Sequence, residues 1–295
     1  MSSSPRNGSW TYGEYLQLPE LLNLQAEERG ISNDELHFII VHQTFELWFK
    51  QVICELSLVR DILTQENVLE SDIPKACDHL GRTSEIFRLM ENQWSVLETL
   101  TPQGFLAFRD GLGTASGFES YQVREFELLL GLKQEDRLYK MDVIEQFRIL
   151  AKNSEHDAAI LARLEAIQAK PTLFDSLLKW IERTPIMGSA YGDEGDELVV
   201  SDYVDTHLAG HQAVCDSAIA RLGDQGANHA KAAVARFDAA QIAAENFLRP
   251  DGEVNRARAG LLFIESYREL PLLTWPRKMI DAMVELEELI VKWRH

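Results

Sequence analysis

Residues 32–64 read SNDELHFIIVHQTFELWFKQVICELSLVRDILT. Ser32 and Glu35 have the spacing of a capping box, in which the hydroxyl accepts from the third amide and the carboxylate reaches back. Phe38, Ile39, Val41, Phe45, Trp48, Phe49, Val52 and Leu56 then recur at helical spacing over a wide face. This pattern predicts a long helix reaching about Thr64. So broad an apolar face must be covered from more than one side, so the helix is placed at the centre of the molecule.

Working outward, residues 1–10 read as a loose polar arm. Residues 12–24 are apolar but interrupted by Pro19, which predicts a short turn of helix and a docked segment. Downstream, Asp72 and Pro74 are placed to open a second helix. Its stripe of Leu80, Ile86, Phe87, Met90, Trp94, Leu97 and Leu100 continues until Thr101-Pro102 stops it. A short helix over 103–112, a Gly/Ser loop over 113–117 and a helix over about 119–132 follow. Helical patterns recur at about 154–169, 173–184, 199–222, 228–248, 254–267 and 275–295. No stretch alternates apolar and polar residues, and no hairpin turn lies between β-branched runs. The expected fold class is all-α. The acidic, glycine-rich stretch 188–197 (GSAYGDEGDE) is expected to be a mobile surface connection. No linker divides the chain, so 1–295 is taken as one domain with an N-terminal arm over 1–24.

Composition narrows the function classes. The formal net charge is −18, which opposes nucleic acid and anionic membrane surfaces as partners, while a local basic pocket for a small anion stays compatible. The apolar runs are far too short to span a bilayer. Cys54, Cys77 and Cys215 are scattered and form no CxxC pair, and the first ten residues carry no apolar leader. A reducing, cytoplasmic compartment is the simplest expectation.

Individual residues are ambiguous. His42 lies between apolar neighbours, in line with Phe38 and Glu46, and a lone imidazole there reads first as an inert core histidine. Arg109 follows Phe105 and Phe108. A guanidinium in apolar surroundings needs an anion, which can be Asp110, a glutamate or the carboxylate of a substrate. His207 and His211 have metal-ligand spacing, but HLAGH lacks the glutamate of HExxH, so a solvated face is the plainer reading. The glycines at 111, 113 and 117 follow a helix and make no phosphate loop.

The combination says more. TYGEYLQL (11–18), FIIVHQTFELWFK (38–50), QWSVLETLTP (93–102), FRDGLGTASGFES (108–120) and KWRH (292–295) resemble the tryptophan 2,3-dioxygenase family in order and spacing. The match is dense over the first 135 residues, weak through a divergent helical region at about 133–250, and returns at the C-terminus. The resemblance implies a helical bundle with long central helices around a non-covalent haem b, O₂ as co-substrate and a homotetramer. The reaction implied inserts both oxygen atoms across C2–C3 of L-tryptophan to give N-formyl-L-kynurenine. By the same resemblance, His42 matches the histidine facing the indole N–H and Phe38 the ring packed on the indole. The segment Phe38-Ile39-Ile40-Val41-His42 matches the substrate pocket, and Arg109 matches the carboxylate clamp. Ser116 and Gly117 match a loop beside the haem. Tyr12, Tyr15 and Leu16 match a segment that completes a neighbouring subunit's pocket.

The chain departs from that pattern in three places. Phe105 stands where the family commonly has a tyrosine that helps hold the carboxylate. Anchored on Trp293-Arg294, the iron's proximal ligand is expected two residues beyond His295, which then fills an aromatic position; alternatively His295 is itself the ligand. The family's glycine- and threonine-rich closing loop is expected in a tail that the sequence does not include. Two other readings stay open: a haem monooxygenase of a tryptophan derivative, motivated by Phe105, and a non-catalytic helical scaffold.

Overall fold

The computed structural model describes residues 9–113, 117–136, 142–152, 154–222 and 227–294. Among these residues thirteen α-helices follow one another: α1 Tyr12–Leu16, α2 Leu18–Leu21, α3 Asn33–Leu63, α4 Ile73–Leu97, α5 Pro102–Arg109, α6 Tyr121–Leu130 and α7 Val143–Leu150; then α8 Glu155–Gln168, α9 Leu173–Glu182, α10 Asp196–Leu222, α11 Ala227–Leu248, α12 Arg256–Ser266 and α13 Thr274–Arg294. Among the described residues no β-strand forms, and the sole bridge joins Ile186 to Ser189. The all-α expectation stands.

The wide face of α3 explains the architecture. Val41, Phe45, Phe49, Val52, Leu56, Val59 and Leu63 are buried along its length. Helices α4, α6 and α9 pack on it, α13 packs on α4, and α12 packs on α9. One buried cluster runs continuously through these helices and into α10. A smaller apolar cluster under α7 and α8 gathers Leu128, Val143, Ile144, Phe147, Ile160 and Leu164. Helix α7 had no counterpart among the sequence expectations. It has only eight residues and buries Val143, Ile144 and Phe147 in a cluster with residues of α6 and α8 while Ile149 and Leu150 stay exposed, so its amphipathic stripe becomes visible only once partners are in place.

Polar ties cross the core at few points. The buried Glu55 of α3 accepts from Arg82 of α4 at 2.7 Å, contacts His79 Nδ1 at 2.5 Å and accepts from Gln51 at 2.5 Å. Burial alone would raise its carboxyl pKa, but the bonds from Arg82, His79 and Gln51 outweigh it and hold the group below its ordinary value. Arg183, just past α9, donates to the carbonyls of Leu63, Gln65 and Glu66 and so satisfies the C-terminal end of α3.

Several local expectations are corrected. Ser32 does cap α3, accepting from Glu35 N at 3.1 Å, but the reciprocal half of the capping box is absent. Ser32 is exposed, so water can serve its amide. Asp72 does not cap α4. A 3₁₀ turn over Glu70–Asp72 runs directly into the helix and leaves Asp72 with helical dihedrals. Its carboxylate instead takes Lys75 Nζ at 2.7 Å. Thr101-Pro102 opens α5 rather than ending α4, which already stops at Leu97. The stretch 188–197 is pinned rather than free. Buried Asp196 accepts from Ser189 at 2.8 Å and from Arg256 Nε at 2.7 Å, and Arg256 also donates to Thr184 O at 3.1 Å. The Arg256 guanidinium holds the Asp196 carboxyl below its usual range.

The α9–α12 crossing depends on Gly260. A Cβ there would lie 2.7 Å from the backbone carbonyl oxygen of Ile181, which is fixed in its own helix and cannot retreat. We expect Gly260→Ala to destabilise the protein by about 1–3 kcal/mol despite the higher helix propensity of alanine. Chemical denaturation measures this, and an unchanged midpoint would show that the crossing is looser than the geometry requires.

Candidate functional site

The residues singled out in the sequence converge at one end of α3. Phe38 and His42 are one helical turn apart, so their side chains share a face. Their ring centroids are 4.0 Å apart. The His42 Nδ1 lies 2.8 Å from the carbonyl oxygen of Phe38. A carbonyl can only accept, so Nδ1 carries the proton and Nε2 presents a lone pair. Across from them, α5 brings Phe105 to 5.8 Å and Phe108 to 5.5 Å from the Phe38 ring centroid. Phe108 is buried and anchors the short helix, while Phe38, His42, Phe105 and Arg109 are half-buried on an accessible wall.

The approach of α5 is set locally. Thr101 Oγ1 accepts from Gly104 N at 3.0 Å, and Pro102 occupies the first helical position. Gly104 lies against the start of α3, where a Cβ would fall 2.3 Å from Asp34 Oδ2. The bare backbone at 104 lets the exposed Asp34 side chain lie directly against α5.

Arg109 is the cation of this wall. Its Nη1 donates to Gly113 O at 3.0 Å, across the 3₁₀ turn Asp110–Leu112. Among the described residues it forms no ion pair with Asp110 or any glutamate. One N–H fixes the side chain, and among the described residues the rest of the fork meets no other partner.

The turns behind His42 are held from two other helices. Gln93 of α4 donates to Val41 O at 3.0 Å. Gln122 of α6 donates to Glu46 O at 2.8 Å and to its carboxylate at 2.7 Å. Trp293, near the end of α13, sits in an aromatic cluster with Phe45, Phe49, Phe87, Trp94 and Phe126. Arg294 reaches buried Glu127 at 3.5 Å, and Glu127 accepts from Arg124 at 2.8 Å. The QWSVLETLTP and KWRH stretches, distant in sequence, therefore meet behind the His42 turn. Gln93, Gln122 and Glu127 had not been singled out. Gln93 and Trp293 lay within quoted motifs, but nothing in the sequence pairs Gln122 or Glu127 with its partner.

Other expected residues are placed differently. Helical rotation separates the segment 38–42: Val41 points into the core, Ile39 is half-buried and Ile40 is exposed. Tyr12 and Tyr15 stand 77% and 73% exposed on α1, and with Leu16 they form no hydrogen bond or ring contact with Phe38, His42 or Arg109. Gly117 opens an exposed 3₁₀ turn before α6. Ser116 and His295 lie outside the described residues. His211 contacts Gln241 at 2.5 Å, and no described cluster of His, Cys, Asp and Glu could hold a bare metal ion.

The sequence matches the family model for tryptophan 2,3-dioxygenase over residues 2–295. The chain belongs to the tryptophan 2,3-dioxygenase family. It is 35% identical to the tryptophan 2,3-dioxygenase of Alteromonas mediterranea, over 96% of this chain and 79% of that protein. It is 36% identical to the one of Sorangium cellulosum, over 96% and 72%. It is 30% identical to the one of Anopheles gambiae, over 96% and 73%. A member of this family handles a flat prosthetic group, and the donor set is suited to one. The wall offers the apolar rings of Phe105 and Phe108 beside Phe38, and a haem asks for apolar contact and few polar ligands. These residues fit such a group and do not fit a bare ion.

Proposed function

We propose that the protein is a haem-dependent dioxygenase that opens the indole ring of L-tryptophan with O₂ to give N-formyl-L-kynurenine. Membership of the family carries the reaction class. The observation that carries the site is the meeting of Phe38 and His42 on α3 with Phe105 and Arg109 on α5. Haem, when bound, supplies the oxygen chemistry that no amino-acid side chain provides. The reaction balances without an external reductant: the C2–C3 bond breaks, and one oxygen atom of O₂ ends on each carbon.

The protein's own groups bind and orient. The Phe38 ring offers a flat face for the indole. The Nε2 lone pair of His42 accepts the indole N–H, since Nδ1 is already committed to the Phe38 carbonyl. The free part of the Arg109 fork takes the substrate carboxylate in a charge-assisted pair. Fixing both ends of one molecule converts a bimolecular encounter into an oriented one. Phe105 leaves the carboxylate without the hydroxyl the family commonly supplies. On this reading the residue that would hold the haem iron falls at the C-terminal end of α13, where His295 is the candidate. There the Trp293 cluster and the Arg294–Glu127 pair hold the end of α13 beside α3. The loop containing Ser116 and Gly117 then borders the haem.

The exposed Tyr12, Tyr15 and Leu16 support a homotetramer in which this arm reaches a neighbouring subunit's site. Among the described residues no helix is long and apolar enough to cross a membrane. The three free cysteines agree with a cytoplasmic enzyme.

Incubation with tryptophan and O₂ should give a product heavier by two oxygen atoms. One added oxygen would reassign the protein as a monooxygenase, and a purified protein with no Soret band would make it a scaffold. Arg109→Leu should raise KM for tryptophan at least about tenfold while the Soret band persists, the loss expected when a charge-assisted pair is removed. An unchanged KM would remove the clamp from the mechanism. Phe105→Tyr should tighten binding of unmodified tryptophan about two- to tenfold through one added hydrogen bond. Weaker binding in that variant would show that position 105 does not face the carboxylate.

A further inference from the structure

A cavity lies far along the sequence from the α3–α5 wall. It has a volume of about 560 Å³, within the usual range of small-molecule sites, and opens between α10 and the C-terminal end of α12. Tyr203 and Tyr267 line it, together with Asp202, His207, Ser266 and Met187. The two tyrosines are joined through Phe263, whose ring centroid is 5.6 Å from that of Tyr203 and 4.8 Å from that of Tyr267.

Charge decides what this cleft suits. Three of the arginines nearby in sequence already have carboxylate partners, and Arg258 is turned to the carbonyls of Asn246 and Phe247. Arg249 holds Asp205 at 2.7 Å and Glu245 at 3.2 Å, Arg256 holds Asp196 at 2.7 Å, and Arg268 pairs with Glu265. Among the described residues Asp202 forms no ion pair and no side-chain hydrogen bond. The other groups do not oppose a cation. Burial and the neighbouring His211 lower the pKa of His207, which keeps the imidazole neutral at pH 7. Burial raises the Tyr203 phenol, which stays a neutral hydroxyl 3.5 Å from Ser266 Oγ. A free carboxylate beside aromatic faces is the arrangement that recognises alkylated ammonium groups. One carboxylate with neutral neighbours is too poor a donor set for a metal ion, and a carboxylate repels an anion.

We propose that the cleft between α10 and α12 binds a small organic ammonium ion, with Asp202 supplying the counter-charge and Tyr203 and Tyr267 the aromatic walls. The site uses none of the residues assigned to tryptophan. His207 also lines an adjoining apolar cavity of about 240 Å³ with Phe247, Leu261 and Leu262, which offers room for an alkyl extension.

The test is calorimetric titration of the full-length, haem-loaded protein with choline. Its uncharged isostere 3,3-dimethyl-1-butanol serves as control, and about 0.15 M salt screens the general attraction of an acidic protein. Choline should bind saturably and the isostere should not. Asp202→Asn, an isosteric change on an exposed side chain, should weaken choline about three- to tenfold, as should Tyr267→Leu. Arg109→Leu should leave choline binding unchanged. Absence of saturation, equal binding of the neutral isostere, or an unaltered affinity in Asp202→Asn would each overturn the proposal. None of these outcomes bears on the tryptophan reaction.

Discussion

The seating of Trp293 among Phe45, Phe49, Phe87, Trp94 and Phe126 is the contact on which the site end of this bundle depends. It joins α13 to α3, α4 and α6 at one point. Aromatic pairs of this kind contribute roughly 0.5–1.5 kcal/mol each beyond the area they bury. Among the described residues the buried indole Nε1 has no hydrogen-bond partner, at a cost of about 1–3 kcal/mol. Five ring contacts outweigh that cost, so packing, not polarity, decides where α13 ends.

The consequence for the site is indirect but close. Phe45 lies one turn beyond His42, and Gln93 and Gln122 grip the carbonyls of Val41 and Glu46 on either side of it. Helix α3 thus spends one face on the core and its opposite edge on the chemistry. Helix α5, with eight residues, is too short to be stable alone and is held by its Thr101 cap and its buried Phe108. The rigid helix carries the imidazole, and the short, docked one carries the guanidinium.

Electrostatics follow the same division. The net charge is −18, yet most of the arginines described are paired locally with carboxylates. Among the described residues the half-buried Arg109 has no carboxylate partner, and the exposed Asp202, like many carboxylates of this acidic chain, has no cationic one. A charge with no internal partner is open to a ligand of opposite sign, because no existing pair must be broken to bind it. Arg109 is assigned to the tryptophan carboxylate and Asp202 to an ammonium ion.

Much of this was legible in the sequence. The 3.6-residue spacing from Phe38 to Leu56 determined a long central helix. Ordered blocks such as FIIVHQTFELWFK and KWRH determined the family and, with it, His42 and Arg109 as residues to watch. What the sequence could not decide was anything that depends on a partner distant along the chain. Asp72 reads as a cap but is not one, because the preceding turn leaves it helical. The acidic stretch 188–197 reads as free but is pinned by Arg256, sixty residues past Asp196. Helix α7 reads as nothing because its stripe is short. Whether Arg109 has an internal anion, and whether Asp202 has one, depends on which helices cross which. Sequence alone sets local periodicity and charge, but only the folded packing settles which charges find each other and which remain for a ligand.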